Sequence, residues 1–144
     1  MVLIHEVLPV HDQTLPRVSL PVDRLQLQKR RWRAAAADGT EFGFDLEQPL
    51  THGAIIHQTT SHFYEIEQQP EPVLDIELPD DPTKAARIGW MIGNLHFAIE
   101  IRPGCLRVAD DQALRRLLAL THVHYLESVA IFQPLTGGAH VHHH

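Results

Sequence analysis

The stretch RIGWMIGNLHFAIEI, residues 87–101, decides how the second half of this chain folds. Apolar residues up to Leu95 follow the three- and four-residue spacing of one buried helix face, namely Ala85, Ile88, Met91, Ile92 and Leu95. Phe97 to Ile101 instead alternates with period two, which is typical of a strand. His96 lies at the corner between these patterns. An imidazole there can be an outward-facing metal ligand, or it can cap the helix by bonding its last carbonyl groups.

Working outward, the flanking patterns complete a strand-helix-strand-strand-helix-strand order. Asp81 and Pro82 predict the start of the first helix, as N-cap and first helical residue. Asp110 or Asp111 is predicted to cap the second helix, which buries Leu114, Leu117 and Leu118. The remaining predicted strands are residues 73–78, 106–108 after the Pro103-Gly104 turn, and 123–132. This βαββαβ order is that of the ferredoxin-like unit, whose second sheet face is free to pack on a partner.

Residues 1–70 show no helical period, and we expect a small β sandwich or barrel-like module there. Arg24–Gln28 alternates as a half-buried strand, and Asp38-Gly39 is a hairpin signal between residues 30–34 and 41–46. Gln68–Pro72 favours an extended linker, because it is polar and contains two prolines. The predicted class is therefore α+β: a β-rich module, residues 1–70, followed by a ferredoxin-like domain, residues 73–144.

Composition narrows the function. A net charge of −6 gives no basic surface for nucleic acid or an anionic membrane, and no apolar run is long enough to span a bilayer. The start of the chain does not resemble a signal peptide, and the single cysteine fits a reducing compartment, so we expect a cytoplasmic protein. The unusual feature of the composition is its 12 histidines, as many as lysine and arginine together. Neutral imidazole binds nickel, copper and zinc, so this content points to metal binding.

Several segments, in order along nearly the whole chain, resemble the urease accessory nickel chaperone family (UreE). They are the Arg-rich strand and hairpin from Arg30 to Gly39, the helix that begins at Asp81-Pro82 and ends in Gly93-Asn94-Leu95-His96, and the ending Phe132–Ala139 before a His-rich tail. The chain departs from the family at Leu95, where Arg is usual, at Ala109-Asp110-Asp111, where some relatives have additional histidines, and in its short tail.

The resemblance implies a nickel metallochaperone. It implies that the first module engages protein partners, and that the second domain forms a homodimer in which His96 of both chains shares one Ni²⁺. It further implies that the Ni²⁺ is delivered to the urease apoprotein and its accessory GTPase complex, without catalysis by the chaperone itself. The order of divalent-metal affinities predicts that Cu²⁺ and Zn²⁺ also bind, so they can substitute for Ni²⁺.

Other histidines are weaker candidates for metal ligands. His122 and His124 are two residues apart at the entry of a predicted strand, so both should point to one side and could chelate an ion. Exposed polar residues at a helix end would show the same pattern. The tail carries His140, His142, His143 and His144 after Gly137-Gly138, and we interpret it as a native metal-collecting tail rather than a purification tag. We expect the five histidines of residues 1–70 to be structural or simply exposed.

Two other classes of function stay open on the sequence. A metal-dependent hydrolase needs three protein ligands, an open coordination position and a general base. A peptide-binding scaffold would carry its histidines incidentally and take up no stoichiometric Ni²⁺.

Overall fold

The computed structural model describes residues 1–9 and 11–135, and the chain divides into two compact units at Gln69–Pro70. Ten strands and three helices in the described residues make the protein α+β, as predicted. No helix there is long and apolar enough to cross a membrane.

The first unit contains two three-stranded sheets around one core. One sheet has the order β1 (Val2–Ile4), β4 (Glu41–Asp45), β3 (Arg31–Ala35), and the other has β2 (Arg17–Val22), β6 (Phe63–Gln68), β5 (Ile55–Gln58). Phe42 and Phe44 of one sheet and Leu20 and Ile66 of the other lie in the same buried cluster. The predicted hairpin at Asp38-Gly39 joins β3 to β4, and Gly39 has the positive φ of 89° that such a turn requires.

The strand predicted at Arg24–Gln28 is wrong, because α1 (Arg24–Leu27) is a short helix. The Asp23 side chain accepts the Gln26 N–H, and the Gln26 side chain accepts the Asp23 N–H, so the two residues form a capping box. Leu27 is buried whereas Leu25 is 61% exposed. The apparent alternation therefore did not mark a common buried face.

The linker between the units is shorter than the predicted Gln68–Pro72. β6 continues to Gln68, which pairs with Val22, and β7 (Glu71–Glu77) begins immediately after Pro70. Pro72 has no N–H to donate, but its carbonyl group still accepts the Asp110 N–H, so the residue is tolerated within β7.

The second unit has two helices on one face of an antiparallel four-stranded sheet. The sheet order is β10 (Tyr125–Ala130), β7, β9 (Cys105–Ala109), β8 (Glu100–Arg102), and the helices are α2 (Pro82–Asn94) and α3 (Gln112–Leu120). The helix residues Ile92, Leu114 and Leu118 join one buried cluster with sheet residues, Leu74, Ile76, Leu106 and Val108. Each fully buried aliphatic side chain contributes about 1.5–3 kcal/mol to this packing.

Two predicted strand boundaries and the predicted burial of Leu95 need correction in this unit. The strand predicted from Phe97 begins only at Glu100, and the one predicted at 123–132 is restricted to Tyr125–Ala130. Leu95, predicted to be buried, is 47% exposed because α2 ends at Asn94 and the chain turns there.

Beyond β10 the chain crosses the sheet to its opposite edge. Phe132 is buried, Gln133 N–H donates to Glu100 Oε1 at 2.8 Å, and Leu135 N–H donates to Ile99 O at 2.8 Å. The last described residue therefore lies beside the segment that leads from His96 into β8.

Candidate metal centre

His96 occupies the turn that ends α2. The helix begins as predicted, with the Asp81 side chain accepting the Thr83 N–H and Pro82 in the first turn. At its other end Leu95 is the C-cap, and His96 follows with a φ of 66°, in the left-handed region. Its backbone N–H donates to Gly93 O at 3.0 Å, which is one of the bonds that closes a helix C-terminus.

The left-handed turn at His96 has a packing cause. Phe97, the next residue, packs on the same core cluster as Ile92 of the last helical turn. This apolar contact commonly accompanies a left-handed C-terminal cap. Glycine is the residue that usually occupies such a position, because it has no Cβ to clash. A histidine there is strained, and strain retained in a fold is a pointer to function.

The imidazole of His96 is exposed and makes no hydrogen bond or ion pair with any residue in the described part of the chain. His96 caps the helix through its backbone N–H, which donates to Gly93 O, and not through its imidazole. Two large apolar side chains near it in the sequence are also exposed, Trp90 at 68% and Leu95 at 47%. The ring nitrogens are therefore available to an external ligand, next to an apolar surface.

His122 repeats this arrangement at the end of α3. Its φ is 58°, its N–H donates to Ala119 O, and the Val123 N–H donates to Leu118 O at 2.9 Å. These two bonds make a Schellman motif, and Val123 packs on the cluster that contains Leu118. Both helices of this unit thus end with a histidine at the position that normally takes glycine.

The predicted strand geometry of His122 and His124 is wrong. Both residues precede β10, so strand alternation does not orient them. They are exposed, and both line one surface groove between α2 and the segment after α3. His96 does not line that groove. The tail ligands His140, His142, His143 and His144 lie outside the described residues.

Every histidine of the first unit has a side-chain partner. His5 Nδ1 donates to Asp45 O, His52 Nδ1 accepts the Gln68 N–H at 3.0 Å, and His11 packs against the Phe63 ring. His57 packs against the rings of Phe42 and Tyr64. These contacts agree with the structural role that we expected for this group.

His62 belongs to a hydrogen-bonded chain. Because Tyr64 donates its hydroxyl proton to Asp38 Oδ2 at 2.7 Å, its oxygen accepts from His62 Nε2 at 2.7 Å, and Nδ1 then accepts from Ser61 Oγ. The Thr40 backbone N–H and the Tyr64 hydroxyl lower the pKa of Asp38 below its usual 3.8. Burial is the main cause that raises the pKa of Tyr64. Both ring nitrogens of His62 are therefore occupied.

Cys105 is a poor metal ligand. It is half-buried in β9, and desolvation, followed by the charge of Asp75, raises the pKa of its thiol. The thiolate is the form that binds metal, so this environment opposes ligation. In residues 1–9 and 11–135, no three His, Cys, Asp or Glu side chains lie close enough together to hold one ion.

Sequence reasoning missed the groove beside His122 and His124. Its cations, Lys84 and Arg87, were not singled out. The signal was present, because α2 contains these two basic residues and no acidic one.

Comparisons with known proteins identify the family. The family model described as "UreE urease accessory protein, C-terminal domain" matches residues 71–144. A protein of Nitrosococcus oceani named urease accessory protein UreE is 31% identical over 124 residues, which cover 83% of this chain and 74% of that protein. Proteins with the same name from Beijerinckia indica and Pseudomonas fluorescens are 32% and 28% identical, over 78% and 99% of this chain and 65% and 87% of their own lengths. This chain belongs to the UreE urease accessory protein family.

Proposed function

We propose that this protein is a nickel metallochaperone that carries Ni²⁺ to apo-urease in the cytoplasm during urease maturation. The observation that carries the proposal is the exposed His96 imidazole, without a partner in the described residues, on a strained left-handed turn. It acts as a carrier and converts no substrate.

One imidazole fills one coordination position, so His96 requires further donors. We propose that a homodimer supplies the second from the same residue of the partner copy. The exposed Trp90 and Leu95 support this interface, because apolar side chains that flank a ligand can be buried when two copies meet. A site shared between two exposed turns also leaves Ni²⁺ accessible to a recipient. Cu²⁺ and Zn²⁺ are expected to occupy the same site.

The tail histidines His140, His142, His143 and His144 are proposed as additional donors. Leu135 is hydrogen-bonded to Ile99, only three residues after His96. Five residues of chain from Leu135 to His140 can span at most about 17 Å. That reach allows His140 and later residues to approach His96, where a tethered ligand acts at an effective concentration in the millimolar range.

His122 and His124 are proposed as a weaker secondary metal site, supported by their exposure on the same groove. Each lacks a side-chain partner in the described residues. Removing both should lower the number of Ni²⁺ ions bound and leave the tightest site intact.

We also propose roles for the two units. The strand order β10-β7-β9-β8 with both helices on one face supports a ferredoxin-like fold for the metal-binding and dimerisation domain, residues 73–144. The β-rich module, residues 1–70, is proposed to engage the urease apoprotein and its accessory GTPase complex. The exposed Arg31 and Arg33 on β3 support a polar docking surface there.

The test is activation of purified apo-urease and its accessory proteins by the Ni²⁺-loaded chain, with a chelator present to remove free metal. The unmodified protein should restore urease activity, and His96→Gly should not. His57→Ala, at a histidine that packs against the rings of Phe42 and Tyr64, is the control and should activate normally. Activation by His96→Gly at the normal rate would contradict the proposal.

A further inference from the structure

A groove of about 490 Å³ lies on the second unit, between α2 and the segment that joins α3 to β10. Its apolar part includes four half-buried side chains at the edge of the core cluster, Leu78, Ile88, Met91 and Val123. This volume is within the range of pockets that bind ligands, roughly 300–1,000 Å³.

The α2 side of the groove is basic. Lys84 and Arg87 line it, both are exposed, and neither has a hydrogen bond or ion pair with another residue in the described ranges. They are three residues apart on α2, so their side chains lie about one helical turn from each other. The other side carries Glu77, His122 and His124, which leaves the two fixed positive charges together on one rim.

The charge of the helical layer differs from that of the whole chain. α2 and α3 contain Lys84, Arg87, Arg115 and Arg116 and no acidic residue, although the chain has a net charge of −6. Arg115 is used internally, by Asp110 and Glu127. Lys84 and Arg87 are therefore two unpaired cations on one rim of the groove, with Glu77 on the opposite rim and Asp80 and Asp81 at the start of the same helix.

We propose that this groove binds an acidic amphipathic helix of a protein partner. Apolar side chains of that helix fill the space over Ile88 and Met91, and carboxylates one turn apart face Lys84 and Arg87. This is the helix-in-groove mode of peptide recognition, with charge complementarity that selects the partner and its orientation.

The proposal does not depend on Ni²⁺ binding at His96. His122 and His124 of the proposed secondary metal site do line the groove, so peptide binding is measured without added metal. The groove lining includes none of Trp90, Leu95 and His96, so the proposed dimer surface and this groove use different residues of the unit. Residues 136–144 of the chain contain no acidic side chain and lack the complementary charge.

The probe is a fluorescein-labelled helical peptide of leucines and glutamates, and its lysine counterpart is the control. Fluorescence anisotropy with the full chain should show saturable binding of the glutamate peptide and at least about tenfold weaker binding of the lysine peptide. The double variant Lys84→Glu/Arg87→Glu should lower the affinity about tenfold, because two attractions become repulsions. Both side chains are exposed, and Lys84 lies in the first turn of α2, where negative charge is tolerated.

Arg116→Glu is the matched control, since it reverses an exposed helical arginine that does not line the groove. It should change the affinity less than about twofold. Met91→Ala should also weaken binding, with circular dichroism confirming an intact fold.

Three outcomes would overturn the proposal. If Arg116→Glu lowered the peptide affinity as much as Lys84→Glu/Arg87→Glu, the binding would be general charge attraction and not recognition by the groove. If the peptide bound more tightly to a protein that ends after Leu135, residues 136–144 of the protein itself would be the occupant of the groove. Self-association of the unmodified protein that Lys84→Glu/Arg87→Glu abolishes would make a second copy the occupant.

Discussion

The histidines of the two units differ in what their side chains contact. All five in the first unit have a hydrogen bond or a ring partner, and His62 uses both ring nitrogens. His96, His122 and His124 of the second unit have neither with any described residue. In the first unit both ring nitrogens of His62 and one each of His5 and His52 are hydrogen-bonded, whereas in the second unit a metal meets nitrogens with no partner among the described residues. The difference separates histidines that stabilise a fold from those available for ligation.

The largest expected effect is on metal binding at His96. Replacing His96 by glycine should weaken the tightest Ni²⁺ binding by about 100-fold or more, since even losing a group that only orients a ligand typically costs 10–100-fold. Calorimetric titration measures it, with light scattering to verify the oligomeric state. His57→Ala is the control from the first unit and should leave the Ni²⁺ affinity unchanged. If the two variants bind equally well, the distinction between the units has no functional meaning.

The free energy of unfolding should depend on the imidazoles of the first unit and not on those of the second. His52→Ala removes the acceptor of the Gln68 N–H in the first unit, and Gln68 is only 4% exposed. We expect a loss of about 1–3 kcal/mol in the free energy of unfolding, measured by urea denaturation. His124→Ala should change it by less than about 0.5 kcal/mol, as is usual for an exposed side chain. If the His52→Ala protein were as stable as the parent, His52 would have no structural role.

A smaller gain in stability is expected at the strained turns. In His122→Gly, relief of a left-handed residue is worth about 1–2 kcal/mol, and the greater freedom of glycine in the unfolded chain offsets about 0.4–1 kcal/mol. The net increase should be about 0.5–1 kcal/mol in thermal or chemical unfolding. His124 is not in this conformation, so His124→Gly should give no gain.

The smallest expected effect is on stability at low pH, through Asp38 at the end of the hydrogen-bonded chain that contains His62. The pKa of Asp38 is lowered by the Thr40 backbone N–H and the Tyr64 hydroxyl. Its stabilising contribution is therefore complete above the unfolded value near 3.8 and disappears as the pH falls through the lower folded value. Asp38→Asn should be less stable than the parent at pH 6 and lose less stability between pH 5 and pH 2. Parallel curves for the two proteins would contradict this.

How far the sequence predicts the site can be seen at the ends of α2. Asp81 and Pro82 specify its start chemically, so this start was predictable. The end at His96 was located by the change of period, but its left-handed conformation was not, because it arises when Phe97 packs on the core. The family resemblance singled out the same residue from its motif alone.

Other misses have both tertiary and local origins. β2 contains Pro21, which argues against a strand, and it is accommodated because β2 is the edge of its sheet. α1 was mistaken for a strand because a four-residue helix shows no period. The groove required α2 and residues 121–124 to be adjacent in space, and these segments are more than 25 residues apart in sequence.

The central claim is that free imidazoles, and not partnered ones, take up the metal. A Ni²⁺ titration of the protein with isotope-labelled histidines, followed by NMR of the ring signals, tests it most directly, because paramagnetic Ni²⁺ broadens the signals of the rings that it binds. At substoichiometric Ni²⁺ the His96 signals should broaden first, while those of His52, His57 and His62 stay sharp. Broadening of His62 or His52 at the same metal concentration as His96, or a His96 signal that persists at saturation, would contradict the account.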